Sequence, residues 1–287
     1  MGNSKVLRVA KNEYIKWLHN PKMIIVLVMF IFAYDYVINE LTTAADKMGE
    51  ELQIFEGFIG ISNSQLLLMI IPIVFVGLMG DFPRVDGNAV FYIHRVGKTN
   101  WLMGQMLFAI MASATYLVAL LGFSTVSLIG RSFVSDTWSQ ITTKYYIFAP
   151  NDYASTVANL TTGRLYNNLT PIDATLNILV VMFLFLVLIS MMLLVGFVCK
   201  ARMGGIVLTT GILCVGNVLA YMESGVRWIF PTSHAIMEIH YDEIYREPIM
   251  ALEWSYIYYI VLIFILFIVA FLCIDNYDFS KIQELEE

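Results

Sequence analysis

The residues best suited to chemistry lie in the last long loop of the chain, 222–253, where histidines and acids are concentrated. His234 and Glu238 are four residues apart, so on a helix they would share one face, and His240 follows closely. Imidazole and carboxylate groups bind zinc, which makes these three residues a candidate metal site. The chain has no His-Glu-x-x-His zinc signature, however, and a dense acidic patch near a membrane is usually only solvated.

Several other kinds of chemistry have no matching motif in the sequence. There is no glycine-rich phosphate loop of the Walker type and no serine-elbow motif, so we expect no enzyme and no cofactor bound by this chain. Within the apolar stretches Asp35 is the one charged candidate, and it lies near an interface. Ion-coupled carriers bury ionisable groups at mid-depth, so we expect the energy for any transport to come from another protein.

Long apolar helices must position these residues. The 287-residue chain is 59% hydrophobic and 14% charged, whereas a soluble domain carries about 25% charged residues. The apolar runs are continuous rather than alternating, which favours helices over a barrel. The predicted class is an all-α integral membrane protein with six transmembrane helices in a single domain, 1–287. The predicted spans are about 23–38, 61–80, 101–129, 178–199, 203–221 and 254–274.

Residues 4–19 have the pattern of an amphipathic helix that lies on the membrane surface. An apolar stripe is flanked by basic residues, which suits the interface of an anionic bilayer. The stripe comprises Leu7, Ala10, Tyr14, Trp17 and Leu18, and the other face carries Lys5, Arg8, Asn12 and Lys16. Pro21 then ends the helix before the first span.

The distribution of basic residues predicts the orientation. With the N-terminus inside, 11 of the 17 lysines and arginines fall on the cytoplasmic side, so both termini are expected to be cytoplasmic in a multi-pass cell-membrane protein. The net charge of −6 argues against a nucleic-acid partner. On the opposite side, 130–173 forms a long polar loop.

The loop 81–100, between the second and third spans, is both charged and aromatic. A loop that only connected two spans would not need this composition, so the loop is predicted to dock a partner. The alternative is a solvated turn that carries positive-inside charges. The candidate docking residues in this loop are Phe82, Arg84, Asp86, Asn88, Phe91, His94 and Arg95.

The fifth span differs from the others because it is rich in glycine and carries Thr209, Thr210 and Asn217. Small residues allow close helix packing, and polar groups in membrane helices usually face protein or water. The span is therefore predicted to pack tightly, to line a pathway or to form a dimer interface. The second span, with Gln65 and Pro72, gives a weaker version of the same pattern.

In their order along the chain, these features resemble the type-2 ABC exporter permeases. The resemblance is carried by Asn12–Pro21 before the first span, by Gly80–Arg95 with Gly97-Lys98 between spans two and three, and by Arg227–Pro231 between spans five and six. Two departures are an adjacent Asp86-Gly87 in the loop and an unusually long 130–173 loop.

The resemblance implies a permease subunit that works as a dimer with a second copy or homologue. Two separate ATPase subunits would bind ATP and Mg and dock on the loop 81–100 together with Glu13 and Trp17. Spans two and five would line the pathway. The residues implied there are Gln65, Met69, Thr209, Thr210 and Asn217.

The cargo is predicted to be an amphipathic or hydrophobic peptide, a toxin or antimicrobial, exported from a bacterium. An apolar pathway with hydroxyls and methionines suits a lipid-like molecule. The alternatives are export of lipid, glycan or drug, a membrane enzyme with a metal at His234, Glu238 and His240, or a membrane protein that binds a peptide for immunity and transports nothing.

Overall fold

The chain is described by a computed structural model that covers residues 2–84, 93, 95–150, 162–222 and 224–274. Within these residues it is helical almost throughout, and the two strands of two residues each pair in parallel. The helices are α1 (Gly2–Leu18), α2 (Ile24–Ala33), α3 (Asn39–Met48), α4 (Glu56–Asn63), α5 (Gln65–Leu78), α6 (Lys98–Ser127), α7 (Gln140–Phe148), α8 (Gly163–Tyr166), α9 (Pro171–Val198), α10 (Arg202–Ala220), α11 (Pro231–Ala235) and α12 (Leu252–Ile274). The strands are β1 (Leu52–Gln53) and β2 (Ser132–Phe133).

Five helical runs of the described chain are long and apolar enough to cross a membrane, and the number rises to six if the bent pair α4–α5 counts as one span. These runs are Pro21–Met48, Lys98–Ser127, Pro171–Val198, Arg202–Ala220 and Leu252–Ile274. The predicted class of helical membrane protein agrees with this architecture, because each run reaches or approaches the ~20 residues that a span requires.

The stretch predicted as a single span at 61–80 is sharply bent. Ser64 has an extended backbone (φ −66°, ψ 120°), and α4 and α5 meet there at 84°. The Ser64 hydroxyl accepts a hydrogen bond from the Leu67 amide and caps α5. Because α5 has only 14 residues, about 21 Å of helix, it does not cross a hydrocarbon layer of ~30 Å alone.

Two other spans extend beyond their predicted bounds. The first run continues through a π-helical segment, Tyr34–Ile38, to Met48, where Gly49 adopts the left-handed conformation (φ 69°) that ends a helix. The fourth begins at Pro171 rather than 178, because proline suits the first helical position and the Thr170 hydroxyl accepts from the Asp173 amide.

Helix α9 is the centre of the bundle. Two thirds of its most apolar window is buried, more than in any other run described here, and it packs against α6, α10 and α12. The turn from α9 to α10 is tight. Gly196 and Gly205 face each other so closely that a Cβ on either would lie 2.8 Å from the Cα of the other. These two glycines therefore set the closeness of the two helices.

The predicted N-terminal helix is present as α1, and it packs lengthwise on α6. Its buried apolar side chains are Val9, Ala10 and Trp17, whereas Leu7 and Leu18 of the predicted stripe are 57% and 47% exposed. The contact is close because α6 carries Gly104 opposite Val9. A second apolar strip of α1 thus remains on the surface.

Replacement of Gly104 by valine should detach α1 from α6. A Cβ at this position would lie 2.5 Å from both Cβ and Cγ1 of Val9, and overpacking of this kind costs about 1–3 kcal/mol. Gly122→Val is the matched control, since nothing lies within 4 Å of a Cβ there. Amide hydrogen exchange of residues 5–18 should accelerate only in Gly104→Val. Equal exchange in both variants would contradict this packing.

Candidate functional site

One carboxylate joins three cations at the end of the bundle where α5 ends and α10 begins. Asp81 Oδ2 lies 2.7 Å from Lys22 Nζ and 3.4 Å from Arg84 Nη2, and Asp81 Oδ1 lies 4.0 Å from Arg202 Nη2. The hydrogen bond from Lys22 lowers the pKa of Asp81, and Arg84 adds to the effect. We call these four residues the Asp81 cluster. Because its charged side chains are partly exposed, the cluster adds little to the free energy of unfolding. Its main effect is to hold distant parts of the chain in a fixed arrangement.

The Asp81 cluster connects elements that are distant in the sequence. Arg202, the first residue of α10, donates a hydrogen bond to the Gly80 carbonyl at 2.9 Å, and Arg84 donates to the Lys16 carbonyl near the end of α1 at 3.4 Å. The N-terminal helix, the end of α5 and the start of α10 therefore meet at the point where the loop 81–100 begins.

The candidate docking residues divide into buried and accessible groups. Phe82 and Trp17 are buried, and both rings pack on Phe108, at centroid distances of 5.3 and 6.2 Å. Glu13 is also buried in this narrow crevice. Arg84 is half-buried and Arg95 is exposed. The remaining candidates, Asp86, Asn88, Phe91 and His94, lie outside the described residues.

Two of the five candidate pathway residues, Gln65 of α5 and Asn217 of α10, are in contact. Asn217 Nδ2 donates to the Gln65 carbonyl at 3.4 Å, just after the bend at Ser64. The Thr209 hydroxyl is instead satisfied by the Gly205 carbonyl of its own helix, at 2.7 Å. Met69 and Thr210 are half-buried, and no hydrogen bond links their side chains to the Asn217 contact in the described chain.

Buried oxygens without a hydrogen-bond partner are concentrated near the helix bend and the facing helices. Asn217 Oδ1 is one of them, and the neighbouring Gly216 lies against Thr232, whose hydroxyl would be 2.7 Å from a Cβ there. Such groups are costly in an apolar interior unless they bind water or a polar ligand. The members of this set near the bend and on the facing helices are Ser62 Oγ, Asn63 Oδ1, Asn217 Oδ1, Tyr221 Oη, Thr232 Oγ1 and Ser233 Oγ, and others lie elsewhere in the described chain.

The candidate metal site is a hydrogen-bond network. His234 Nδ1 and His240 Nε2 each lie 2.8 Å from Ser255 Oγ, so both nitrogens are engaged by the same hydroxyl. Glu238 Oε2 accepts instead from the Thr162 hydroxyl at 3.1 Å. The described residues contain no group of three or more His, Cys, Asp or Glu side chains placed to hold a metal. In this geometry His234, Glu238 and His240 are thus not brought together as a metal would require.

Burial changes the ionisation of this network. It lowers the pKa of His240 to about 4, and Arg227 nearby opposes a positive charge as well. Burial also lowers the pKa of His234, against a raising effect of the Trp228 carbonyl. It raises the pKa of Glu238 to about 7, which the Thr162 hydrogen bond and Arg164 only partly oppose. Burial by itself thus favours the neutral form of each group.

The sequence interpretation overlooked the structural role of Glu56, which is fully buried where α4 begins. Its two carboxylate oxygens accept from the backbone amides of Ser139, at 2.8 Å, and Gln53, at 3.1 Å. The carboxylate fastens the start of the 130–173 region to α4. An isolated acid next to an apolar run, in Phe55-Glu56-Gly57, was the available signal.

The fold and these contacts are those of a helical membrane protein with a bent helix pair, an apolar interior that contains a few buried polar groups, and a charged junction at one end. A scan against protein-family models and searches of curated proteins and of solved structures each found no match to this chain.

Glu238→Gln should make the segment around Glu238 less sensitive to pH. The folded pKa, about 7, exceeds the ordinary value of 4.5, so stability is complete below about 4.5 and is lost as the pH rises through about 7. The loss is at most about 3.5 kcal/mol, since each pKa unit of the difference corresponds to about 1.4 kcal/mol. Hydrogen exchange of 236–241 at pH 4.5 and 8 measures it. The control is Glu247→Gln, since Glu247 is exposed. Equal pH dependence of exchange in the unmodified chain, Glu238→Gln and Glu247→Gln would refute the raised pKa of Glu238.

Proposed function

We propose that this chain is the permease subunit of an ATP-driven exporter of the type-2 ABC class. In this proposal two copies, or one copy and a homologue, enclose the pathway, and two separate ATPase subunits bind ATP and Mg beneath them. The observation that carries the proposal is the Asp81 cluster. It attaches the start of the candidate docking loop to α1, α5 and α10 through Lys22, Arg84 and Arg202.

The proposed arrangement has six spans, with both termini in the cytoplasm. Six spans result when α4 and α5 are counted together. The Asp81 cluster then faces the cytoplasm, the side that the positive-inside bias indicates for it. Helix α1 would lie at the cytoplasmic interface of a cell membrane, with Leu7, Ile15 and Leu18 exposed toward lipid.

The same contacts suggest how motion would reach the pathway. Closure of the ATPase subunits would move the loop 81–100, and Asp81 would transmit this movement to the ends of α5 and α10. The far end of α5 is bent at Ser64 and contacts α10 through the Asn217–Gln65 hydrogen bond. In this proposal the bent helix and its polar contact with α10 form the gate, which opens when the two elements separate.

The cargo is proposed to be an amphipathic or hydrophobic peptide. Two open apolar grooves flank Tyr258 on the half of the bundle opposite the Asp81 cluster. One contains Trp228 and Trp254, and the other Met192 and Ile212. Apolar walls that share the single aromatic hydroxyl of Tyr258 suit a lipid-like chain. The grooves equally favour a second function, that of an immunity protein that holds such a peptide without transporting it.

Gentle purification of the chain from its native membrane separates these two functions. A permease should bring with it a soluble subunit with a Walker A motif, in roughly equal amount, identified by mass spectrometry. A chain that emerges alone from several mild detergents would contradict the permease proposal and favour the peptide-binding function.

Charge reversal at Asp81 should weaken the attachment of the ATPase subunit. Asp81→Lys places a fourth cation among Lys22, Arg84 and Arg202, which should displace the start of the docking loop. Retention of the co-purified subunit should fall about tenfold, equivalent to ~1.4 kcal/mol. Asp46→Lys is the matched control, because it disrupts a comparable exposed pair with Arg131 beyond the other end of α6. Equal retention in both variants would contradict the role of the cluster.

A further inference from the structure

The network around Ser255 has an unusual proton balance. Ser255 is fully buried in the first turn of α12, and its single hydroxyl lies 2.8 Å from a nitrogen of His234 and 2.8 Å from a nitrogen of His240. A serine hydroxyl carries one proton, so it can donate only one hydrogen bond.

The opposite ring nitrogens are both required as donors. His234 Nε2 lies 2.8 Å from the Trp228 carbonyl, and His240 Nδ1 lies 2.8 Å from the Ile236 carbonyl. A carbonyl oxygen only accepts, so each of these nitrogens carries a proton. If both rings are neutral, the two nitrogens that face Ser255 are therefore both acceptors. One of them then meets a lone pair of the hydroxyl at 2.8 Å, which leaves a buried polar group unsatisfied.

One additional proton completes the network. A protonated ring donates to Ser255 Oγ, and the serine hydroxyl then donates to the other ring, so that all four contacts become hydrogen bonds. His240 is the poorer site for the charge, because burial and Arg227 lower its pKa to about 4. His234 stacks on the Tyr258 ring, with centroids 4.0 Å apart and planes at 19°. An aromatic face stabilises a cation, so His234 is the better site.

The other titratable groups around the pair do not supply this proton. Glu238 is directed to Thr162, and Arg227 lies over the Trp228 ring, 5.0 Å from its centroid. Tyr259 donates to the Pro231 carbonyl at 2.6 Å, and Tyr258 donates to the Ile229 carbonyl at 2.7 Å. These two tyrosines also hold the segment against α12, so loss of the proton would loosen the segment without releasing it.

We propose that His234, Ser255 and His240 form a site for a single proton, which fastens the segment 225–240 to α12 when it is bound. The assignment does not depend on the transport function. Burial alone lowers the pKa of His234, and the hydrogen bonds that only the protonated pair can complete oppose this effect. We expect these hydrogen bonds to outweigh burial, so that the first pKa of the pair in the folded chain exceeds the ordinary histidine value of ~6.5. The fastening is then complete below that value and is lost as the pH rises through the folded pKa.

The direct test is nitrogen-15 NMR of histidine-labelled full-length chain in detergent micelles, titrated from pH 4.5 to 9. The Glu238→Gln variant provides the background, because it removes the carboxyl that titrates in the same range. His234→Gln and His240→Gln assign the signals, and His19, which is exposed, serves as a reference. We expect His234 to titrate above 6.5 and His240 to stay neutral down to about pH 5. Neutral rings at both positions at pH 6 would overturn the proposal.

Removal of the hydroxyl tests the mechanism. Ser255→Ala should lower the pKa of His234 by at least one unit, and Ser255→Thr, which keeps the hydroxyl, should restore it. An unchanged pKa in Ser255→Ala would show that serine does not link the rings, and would refute the proposal. If neither variant folds, the NMR titration of the chain with serine still decides the outcome.

The attachment of the segment 225–240 to α12 can be measured separately by hydrogen exchange. In the Glu238→Gln background, hydrogen exchange of the segment 225–240, corrected for the intrinsic pH effect, should be about tenfold faster at pH 8 than at pH 5.5. His234→Gln should remove this difference. A segment whose exchange does not depend on pH would contradict the fastening role, whatever the pKa of His234.

Discussion

The relation between α1, α5 and α10 depends on the single carboxylate of Asp81. Three cations from three parts of the chain converge on it, and two of them also donate to backbone carbonyls, at Gly80 and Lys16. An apolar bundle has few directional contacts, since lipid replaces water around it and hydrophobic packing specifies register poorly. The charged junction at one end therefore fixes the register between helices that apolar packing alone leaves undetermined.

The opposite end of the bundle is organised by buried polar groups. Glu56 binds two backbone amides, and His234 and His240 share Ser255. Between the two ends lies the bend at Ser64, close to the Asn217 contact. The molecule thus has a charged junction at one end, a bent helix pair, and buried polar contacts at the other end. Under the proposed function, motion of the charged junction would pass along α5 and α10 to the other end.

The sequence predicted the long apolar helices, because continuous hydrophobic runs such as 254–274 permit few alternatives in a membrane. It did not predict the bend, since Asn63-Ser64 in an apolar run looks like an ordinary polar pair, and the cap at Leu67 is visible only in three dimensions. The sequence did not predict that α6 buries part of the predicted stripe of α1, which depends on the contact between Gly104 and Val9. Spacing suggested a metal at His234, whereas the partner is Ser255, distant in sequence.

Site-specific photo-crosslinking at Arg95 directly tests whether the loop 81–100 docks an ATPase subunit. Arg95 is exposed in the candidate docking loop, and Val134, which is 76% exposed, lies just beyond β2 on the opposite side of the bundle. A photoreactive residue at 95 should capture an ATPase subunit with a Walker A motif in intact cells, and the same residue at 134 should not. If neither position captures that subunit while the chain is present and folded in the membrane, the proposed permease function is contradicted.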